Sequence, residues 1–287
     1  MMRDPDETVV VTGAFSYTGK YAARLLLNRG YRVRTLTFHP MPENELGQQV
    51  TVFPYNFERP DELVQSLRGA STLINTYWVR FSRGNSTFEG AVRNTRVLID
   101  AAVRAGLRRI VHVSIANPSL QSPLVLPRKG STGTGRGDLR FGLRHPAAGG
   151  HLRIRPIYVE DMARLLADSV ERRSNCVVNA VGPETFSFEE LVRLVSVHLE
   201  MSPRLLHLPM PLAYASTRVS GWFVRDVILT WQEYQGLMAD LLAPEGPSTG
   251  ETCLSNWLKE NRDRVGQAYA SEVARHFANR AVHGKVR

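Results

Sequence analysis

The stretch that most constrains the fold is TVVVTGAFSYTGKYAARLLLNRG, residues 8–30. Its first five residues are all β-branched and largely apolar, which suits a strand buried on both faces. Gly13 then opens a turn. From Tyr17 the apolar residues fall at helical spacing until Gly30, a C-terminal stop signal. A buried strand that feeds a helix through a glycine-rich turn commits the chain to helix packed on sheet. It also brings the turn's amides and the helix N-terminus to one end of the sheet, where an anionic group is stabilised.

The same alternation continues. YRVRTLTF (31–38), QVTVFPYN (49–56), STLINTY (71–77) and RIVHVSI (109–115) read as strands. Helices are expected at 60–68, with Pro60 in the first turn, and at 88–107, ending at Gly106. Strands and helices at this spacing imply an α/β fold, a Rossmann-type doubly wound parallel sheet. After an interruption at 124–150, residues 152–172 read as a short strand and a helix. CVVNAVG (176–182) reads as a further strand, and 187–200 as a helix whose Ser187 and Glu190 have capping-box spacing. The remainder forms a small C-terminal, mostly helical lobe. There Val265, Tyr269, Val273 and Phe277 make an apolar stripe of the kind that faces a core.

Charge and composition narrow the partners. The net charge is +9, yet only four of the 36 basic residues are lysine, and the arginines are spread along the chain. Without an aromatic-and-basic cluster, solvated faces explain them better than nucleic-acid binding. Cys176 and Cys253 lack metal-ligand spacing, so no metal is expected and both are read as buried, reduced thiols. The charged N-terminus runs straight into a strand without a signal peptide. The apolar region 205–231 is broken by Arg218 and Arg225, so no membrane span is expected. The expectation is a cytoplasmic protein that handles a small molecule, with no nucleic-acid or membrane partner.

VTGAFSYTGKY has Gly13 where the turn tightens and Gly19 where helix meets strand, but Ser16 at the middle glycine of the dinucleotide fingerprint. With that motif, the chain resembles the extended or atypical short-chain dehydrogenase/reductases, which include NAD-dependent epimerases, dehydratases and NmrA-like proteins. Further matching stretches are the Asn56-Phe57 pair, INTYW, NTRVLIDAAVRAGLRRIVHVSI, IYVEDMARLL, VVNAVGPETFSFEELVRLV and TGETCLSNWLKEN. The resemblance covers 1–123 and 151–270. It implies an NAD(P)-binding domain at 1–150, with the rest of the sheet and a substrate lobe at 151–287. Gly13, Phe15, Ser16, Tyr17, Thr18 and Gly19 would bind the pyrophosphate. Thr37 and His39 would lie near the adenosine ribose. No acid stands there to select NAD through the ribose 2′-hydroxyl, so the cofactor is NAD or NADP, and Arg34 could favour the latter. Asn56 and Phe57 would border adenine; Asn75, Thr76 and Tyr77 would flank the nicotinamide half. For Asn75 and Asn94 a purely local hydrogen-bonding role is the competing reading. Ser114 would orient substrate. A homodimer is compatible with the family; the substrate is left open.

The family's chemistry also needs a tyrosine as general acid/base and a lysine four residues later, whose ammonium lowers the phenol pKa. That pair should fall near 125–130, where this chain has VLPRKG, and no tyrosine occurs between Tyr77 and Tyr158. Ser114 is therefore vestigial, and the chain as written is catalytically impaired, or else is an NmrA-like dinucleotide sensor. Residues 124–150 hold seven glycines and four arginines among 27. Allowed codons for 125–149, read one nucleotide later, spell a Tyr-x-x-x-Lys pair, a helix-forming ARLERAVET and a strand ending in Arg-Pro. We read 124–150 as family sequence in a shifted frame, restored near His151, and expect it to be poorly ordered. A genuine Gly/Arg-rich lid is the competing reading. KGSTGTGRG lacks the order of a P-loop.

Overall fold

The valines of the first strand decide the layering. In the computed structural model, which describes residues 7–38, 43–80, 82, 84, 86–115, 153–200, 210–231, 242–266 and 271, β1 spans Thr8–Thr12. Val9 and Val11 point to one face and Val10 to the other, and all three are fully buried. A strand buried on both faces needs helices on both, and the chain supplies them.

On one face lie α1 (Tyr17–Asn28) and α5 (Val159–Glu171). Their Ala22, Ala23, Leu26, Ala163, Leu166 and Ala167 enclose Val9, Val11, Val33 and Ile74. On the other lie α3 (Pro60–Leu67) and α4 (Phe88–Arg104), whose Leu63, Leu67, Leu98, Ala101 and Ala102 meet Val10, Leu36 and Leu73. Each fully buried aliphatic side chain contributes about 1.5–3 kcal/mol, so these two clusters, not surface ion pairs, hold the layers together. Across the first face Arg29 bonds Asp168 at 2.7 Å and the Tyr31 hydroxyl donates to Glu171 at 3.0 Å. An exposed pair of that kind adds about 0–1 kcal/mol.

β2 (Arg32–Thr37), β3 (Val50–Pro54), β4 (Thr72–Asn75) and β5 (Arg109–His112) complete a five-stranded sheet. All pairs are parallel and the order is β3-β2-β1-β4-β5, so the chain switches direction across the sheet between β1 and β4. In open α/β sheets the ligand crevice opens at such a switch point, beyond the carboxyl ends of the strands. The expected elements are in place, with one short unforeseen helix, α2 (Glu45–Gln49), started by the Asn44 side chain.

Beyond residue 152 the expectation needs correction. β6 (Arg153–Ile154) pairs antiparallel with β7 (Phe186–Ser187) and does not extend the parallel sheet. The expected strand at 176–182 is not one. A strand exists by its ladder, and no described neighbour pairs with this run; Val177 is 96% exposed. Its far end is instead tied to 249–250: Val181 N–H donates to Thr249 Oγ1, and Val181 O accepts from the amides of Thr249 and Gly250. Cys176 is exposed and Cys253 half-buried, so neither thiol has the expected burial, though both are free.

The lobe that follows is mainly helical: α6 (Phe188–His198), α7 (Met210–Val224) and α8 (Leu254–Glu260). Ser187 and Glu190 form the expected capping box on α6. Of the stripe, only Val265 falls among the described residues; Tyr269, Val273 and Phe277 lie outside them, as does the segment 124–150. The lobe is anchored through Asp161 in the first turn of α5. Its Oδ2 accepts from the amides of Glu251 (3.0 Å) and Thr252 (2.8 Å), and its Oδ1 from the Thr252 hydroxyl and from Arg164. A side chain on Gly250 would press on Asp161 Oδ2, and one on Gly182 would overlap the Pro156 carbonyl oxygen.

Candidate functional site

Gly13 sits just past β1 with φ +63°, the left-handed region that favours glycine. Its amide donates to Leu36 O at 2.8 Å, and its carbonyl accepts from Ser16 N at 2.8 Å. Ser16 is the N-cap of α1, its hydroxyl accepting from Gly19 N at 3.3 Å. A Cβ on Gly19 would overlap the Gly13 carbonyl, so helix and turn touch backbone to backbone. Thr35, buried on β2, pins the turn from below by accepting from Ala14 N and donating to Val11 O. The result is a rigid loop at the positive end of α1. The first-turn amides that a helix leaves without intrahelical partners face outward there. Tyr17 is exposed beside Lys20, Thr18 is half-buried, and Phe15 packs against the α1 face of the core.

Across the crevice, the end of β4 is locked by a row of polar side chains. Asn75 is fully buried, and its Oδ1 accepts from Tyr77 N (3.0 Å) and the Thr12 hydroxyl (3.2 Å). Because a backbone amide fixes which end is oxygen, Nδ2 is the group that meets His112 Nδ1 at 3.0 Å. His112 must then be neutral at Nδ1, an acceptor, with its proton on Nε2. Burial lowers the His112 pKa below the ordinary histidine value, in the same sense. Thr12 Oγ1 also accepts from Thr76 N at 2.7 Å, and Thr76 Oγ1 donates to Thr12 O at 2.6 Å. Asn75 therefore lies beneath the site and shapes it, whereas Thr76 stands opposite Gly13, at the rim.

Four aromatic rings gather where β2, β3 and β4 end. Tyr55 stacks on Phe57 with centroids 4.8 Å apart, and Phe38 and Tyr77 pack against that pair at 4.6–5.9 Å. The Tyr77 hydroxyl accepts from Asn94 Nδ2 at 3.1 Å, which gives Asn94 the local role. Phe38 is 47% exposed, so one ring of the cluster is open to a flat ligand. Asn56, at φ +44°, is brought to this rim, but its amide is engaged by Glu62 and Arg59. Thr37 is buried, and His39 lies outside the described residues.

Arg34 is not available for a ribose phosphate. Its guanidinium caps α3, donating to Ser66 O (2.7 Å) and Arg68 O (2.9 Å), and lies over the Phe53 ring. Its strand position, level with Val10, is well short of the carboxyl edge. Ser114 is exposed just past β5, after a ladder extended by Val113 N to Asn75 O. Thr12, Thr35, His112, Phe38 and Tyr55 escaped the sequence reading. Threonines at strand ends look like ordinary β-branched filler, and only the cross-strand register shows that Thr12, Asn75 and His112 form one row.

Known proteins bear on this arrangement. Residues 13–128 match the family model for NAD(P)H-binding. A curated relative from Arabidopsis thaliana, subunit 9 of the mitochondrial NADH dehydrogenase [ubiquinone] 1 alpha subcomplex, is 22% identical over 257 residues. The alignment covers 76% of this chain and 64% of that protein, so the chain spans less than two thirds of its length. Among solved structures, a Citrobacter sp. triphenylmethane reductase superposes with a TM-score of 0.64 at 15% identity, covering 89% of this chain and 99% of the reductase. That reductase is also known complexed with NADP(H). A nucleoside-diphosphate-sugar epimerase from Staphylococcus aureus reaches 0.62 at 13% identity, over 88% of this chain and 99% of its own.

Fold, turn and family match together define a dinucleotide-binding protein of the Rossmann class. Within that class, residues 13–128 match an NAD(P)H-binding domain, and the fold is shared with solved reductase and epimerase structures. Its residues are compatible with that cofactor: a Cβ on Gly13 would meet Ser16 and one on Gly19 the Gly13 carbonyl, so glycine at both positions is what keeps the turn this tight at the α1 N-terminus. The exposed Phe38 face suits adenine.

Proposed function

We propose that this chain binds NAD(P)(H) across the crevice between β1 and β4 and, as written, does not complete the family's reaction. The observation that carries it is a paired one. The Gly13–Gly19 turn faces Thr76 with its tight geometry intact, while residues 78–157 offer no tyrosine to exchange a proton with a substrate. In this reading the turn amides and the α1 N-terminus hold the pyrophosphate, the Phe38–Tyr55–Phe57 rings flank adenine, and Thr76 and Tyr77 border the nicotinamide half. The bound nicotinamide would supply or accept hydride. Ser114 would still orient a carbonyl or hydroxyl group but has no acid/base partner, which separates cofactor binding from turnover. The intact fold family suggests an epimerase or oxidoreductase substrate with such a group. An NmrA-like sensor is the second reading, favoured by the same pairing of an intact turn with absent catalytic residues. The free thiols support a cytoplasmic setting.

The test is a titration of the full chain with NAD, NADH, NADP and NADPH, followed by nicotinamide or tryptophan fluorescence. Saturable binding of at least one form, abolished by Gly13→Val, is expected, with no consumption of reduced cofactor on mixing with carbonyl substrates. Absence of saturable binding sinks the first half of the proposal. Steady turnover by the purified chain sinks the second.

A further inference from the structure

Helix α7 has an apolar surface that the domain does not use. Leu212, Val219 and Phe223 recur at i, i+7 and i+11, which puts them on one stripe of the helix. They are 58%, 56% and 73% exposed, and Trp222 beside them is 76% exposed. A contiguous exposed apolar face on a water-soluble domain marks a binding surface. Arg218 lies on the flank of the helix and Arg225 just past its end at φ +53°, both exposed and without an ion-pair partner among the described residues. Arg218 is the single charged residue of Met210–Val224. Among the described residues 210–231 the single acid, Asp226, is buried, and its carboxylate accepts from Val227 N. Beside the helix lies an open groove of about 590 Å³ with both arginines, Trp222 and Phe223 in its wall.

We propose that α7 docks the protein on an anionic lipid surface, lying in the headgroup plane. An apolar stripe of leucine, valine and aromatic residues with basic side chains on the helix flank and at its end is what such a surface recognises: the stripe enters the acyl boundary, and the long arginine side chains reach to phosphates. Tryptophan and phenylalanine at the tip of the helix suit the interface, where aromatic rings concentrate. The helix has 15 residues and is shorter than the roughly 20 a span requires. No helix among the described residues is long and apolar enough to cross a membrane. Docking is therefore peripheral, which revises the expectation of no membrane partner drawn from the lack of a span. A second copy of the chain fits this face less well. A twofold contact would bring the two arginines of each copy together, with no exposed acid among the described residues 210–231 to neutralise them. The chain's net charge of +9 acts in the same direction as the two arginines.

The experiment is co-sedimentation of the full chain with phosphatidylcholine vesicles, with and without phosphatidylglycerol, at low and high salt. Binding is expected only to the anionic vesicles and should weaken with salt. Replacing Arg218 and Arg225 together by glutamine should weaken it about 30-fold, as two basic residues at a charged surface would. Trp222→Ser with Phe223→Ser should abolish it. Both pairs are exposed, so nucleotide binding should be unchanged and reports that the fold is kept. Equal binding by wild type and the serine pair, or no binding to anionic vesicles, overturns the proposal. So does a dimer in sedimentation velocity that the serine pair converts to monomer, which would assign the face to a second copy.

Discussion

At the scale of single residues, the Thr12–Asn75–His112 row makes the sharpest demands. Asn75→Ala would leave the Tyr77 amide and the His112 ring nitrogen without their partner beneath the site. A buried amide so orphaned costs about 1–3 kcal/mol, whereas the exposed His112 ring can turn to water. A loss of about 1–3 kcal/mol in denaturant unfolding is therefore expected; a loss within experimental error would show that the row is not structural. The histidine adds a pH signature. Its pKa is lowered in the folded state, so between the folded and unfolded values the unfolded chain binds the extra proton. Stability then rises with pH through that window and falls as pH drops below about 6.5, the unperturbed value. His112→Gln, whose amide oxygen can accept from Asn75 at any pH, should flatten this part of the profile. An unchanged slope in the variant would remove His112 as its source. Gly19→Ala tests the turn itself. The added methyl meets the Gly13 carbonyl, and overpacking of that kind costs about 1–3 kcal/mol. Cofactor affinity should fall with stability; full affinity with a wild-type melting temperature would mean that helix and turn are not in contact.

Elements were legible where local pattern and tertiary context agreed. Thr8–Thr12 is β-branched throughout, Arg32–Thr37 sets the β-branched Val33, Thr35 and Thr37 at alternate positions, and Thr72–Asn75 carries Leu73 and Ile74; each found a partner on both sides. The run at 176–182 has the same composition but no described ladder partner, and composition cannot supply one. Arg34 shows the same limit at the site. Its charge and strand were readable, but the α3 carbonyls that claim it come from a helix end 32–34 residues away. Gly13, Ser16 and Gly19 were readable because a local motif fixes both their spacing and their geometry. The attachment of the lobe through Asp161 depends on residues 90 apart and left no trace in spacing. Asp161→Ala should cost about 3 kcal/mol by orphaning the Glu251 and Thr252 amides. It should also expose 249–252 to faster amide exchange while exchange in β1 stays slow. Uniform acceleration across the chain would mean that the lobe and the sheet unfold together and that Asp161 is no local clasp.

For the whole molecule, the question is why a cofactor turn should be kept while residues 78–157 hold no tyrosine. A shifted frame at 124–150 would answer it, because such a change alters one segment and leaves both flanks intact. The upstream flank matches the NAD(P)H-binding family model, and the resemblance read in the sequence resumes at 151. The change moves second codon positions, which are nearly fixed by the amino acid, into first positions. Each recovered residue is thus partly constrained. The old third positions become second positions and are left open, so the frame permits a tyrosine, a lysine four residues on and a following helix without forcing them. Local physics runs the same way. ARLERAVET has helix-forming residues at apolar spacing, whereas each glycine of STGTGRGDL opposes a helix by about 1 kcal/mol. The coding DNA gives the first check: codons 125–149 read one nucleotide on should contain the Tyr-x-x-x-Lys text, and a stop codon or its absence there ends the idea. The second check is a repaired gene. Restoring the frame should return a general acid/base beside Ser114 without touching the Gly13–Gly19 turn. Cofactor affinity should therefore stay the same, while consumption of reduced nicotinamide in the presence of carbonyl compounds, followed by absorbance, should appear only in the repaired chain. If the original chain and the repaired one turn over equally, the absent pair was never what limited this protein.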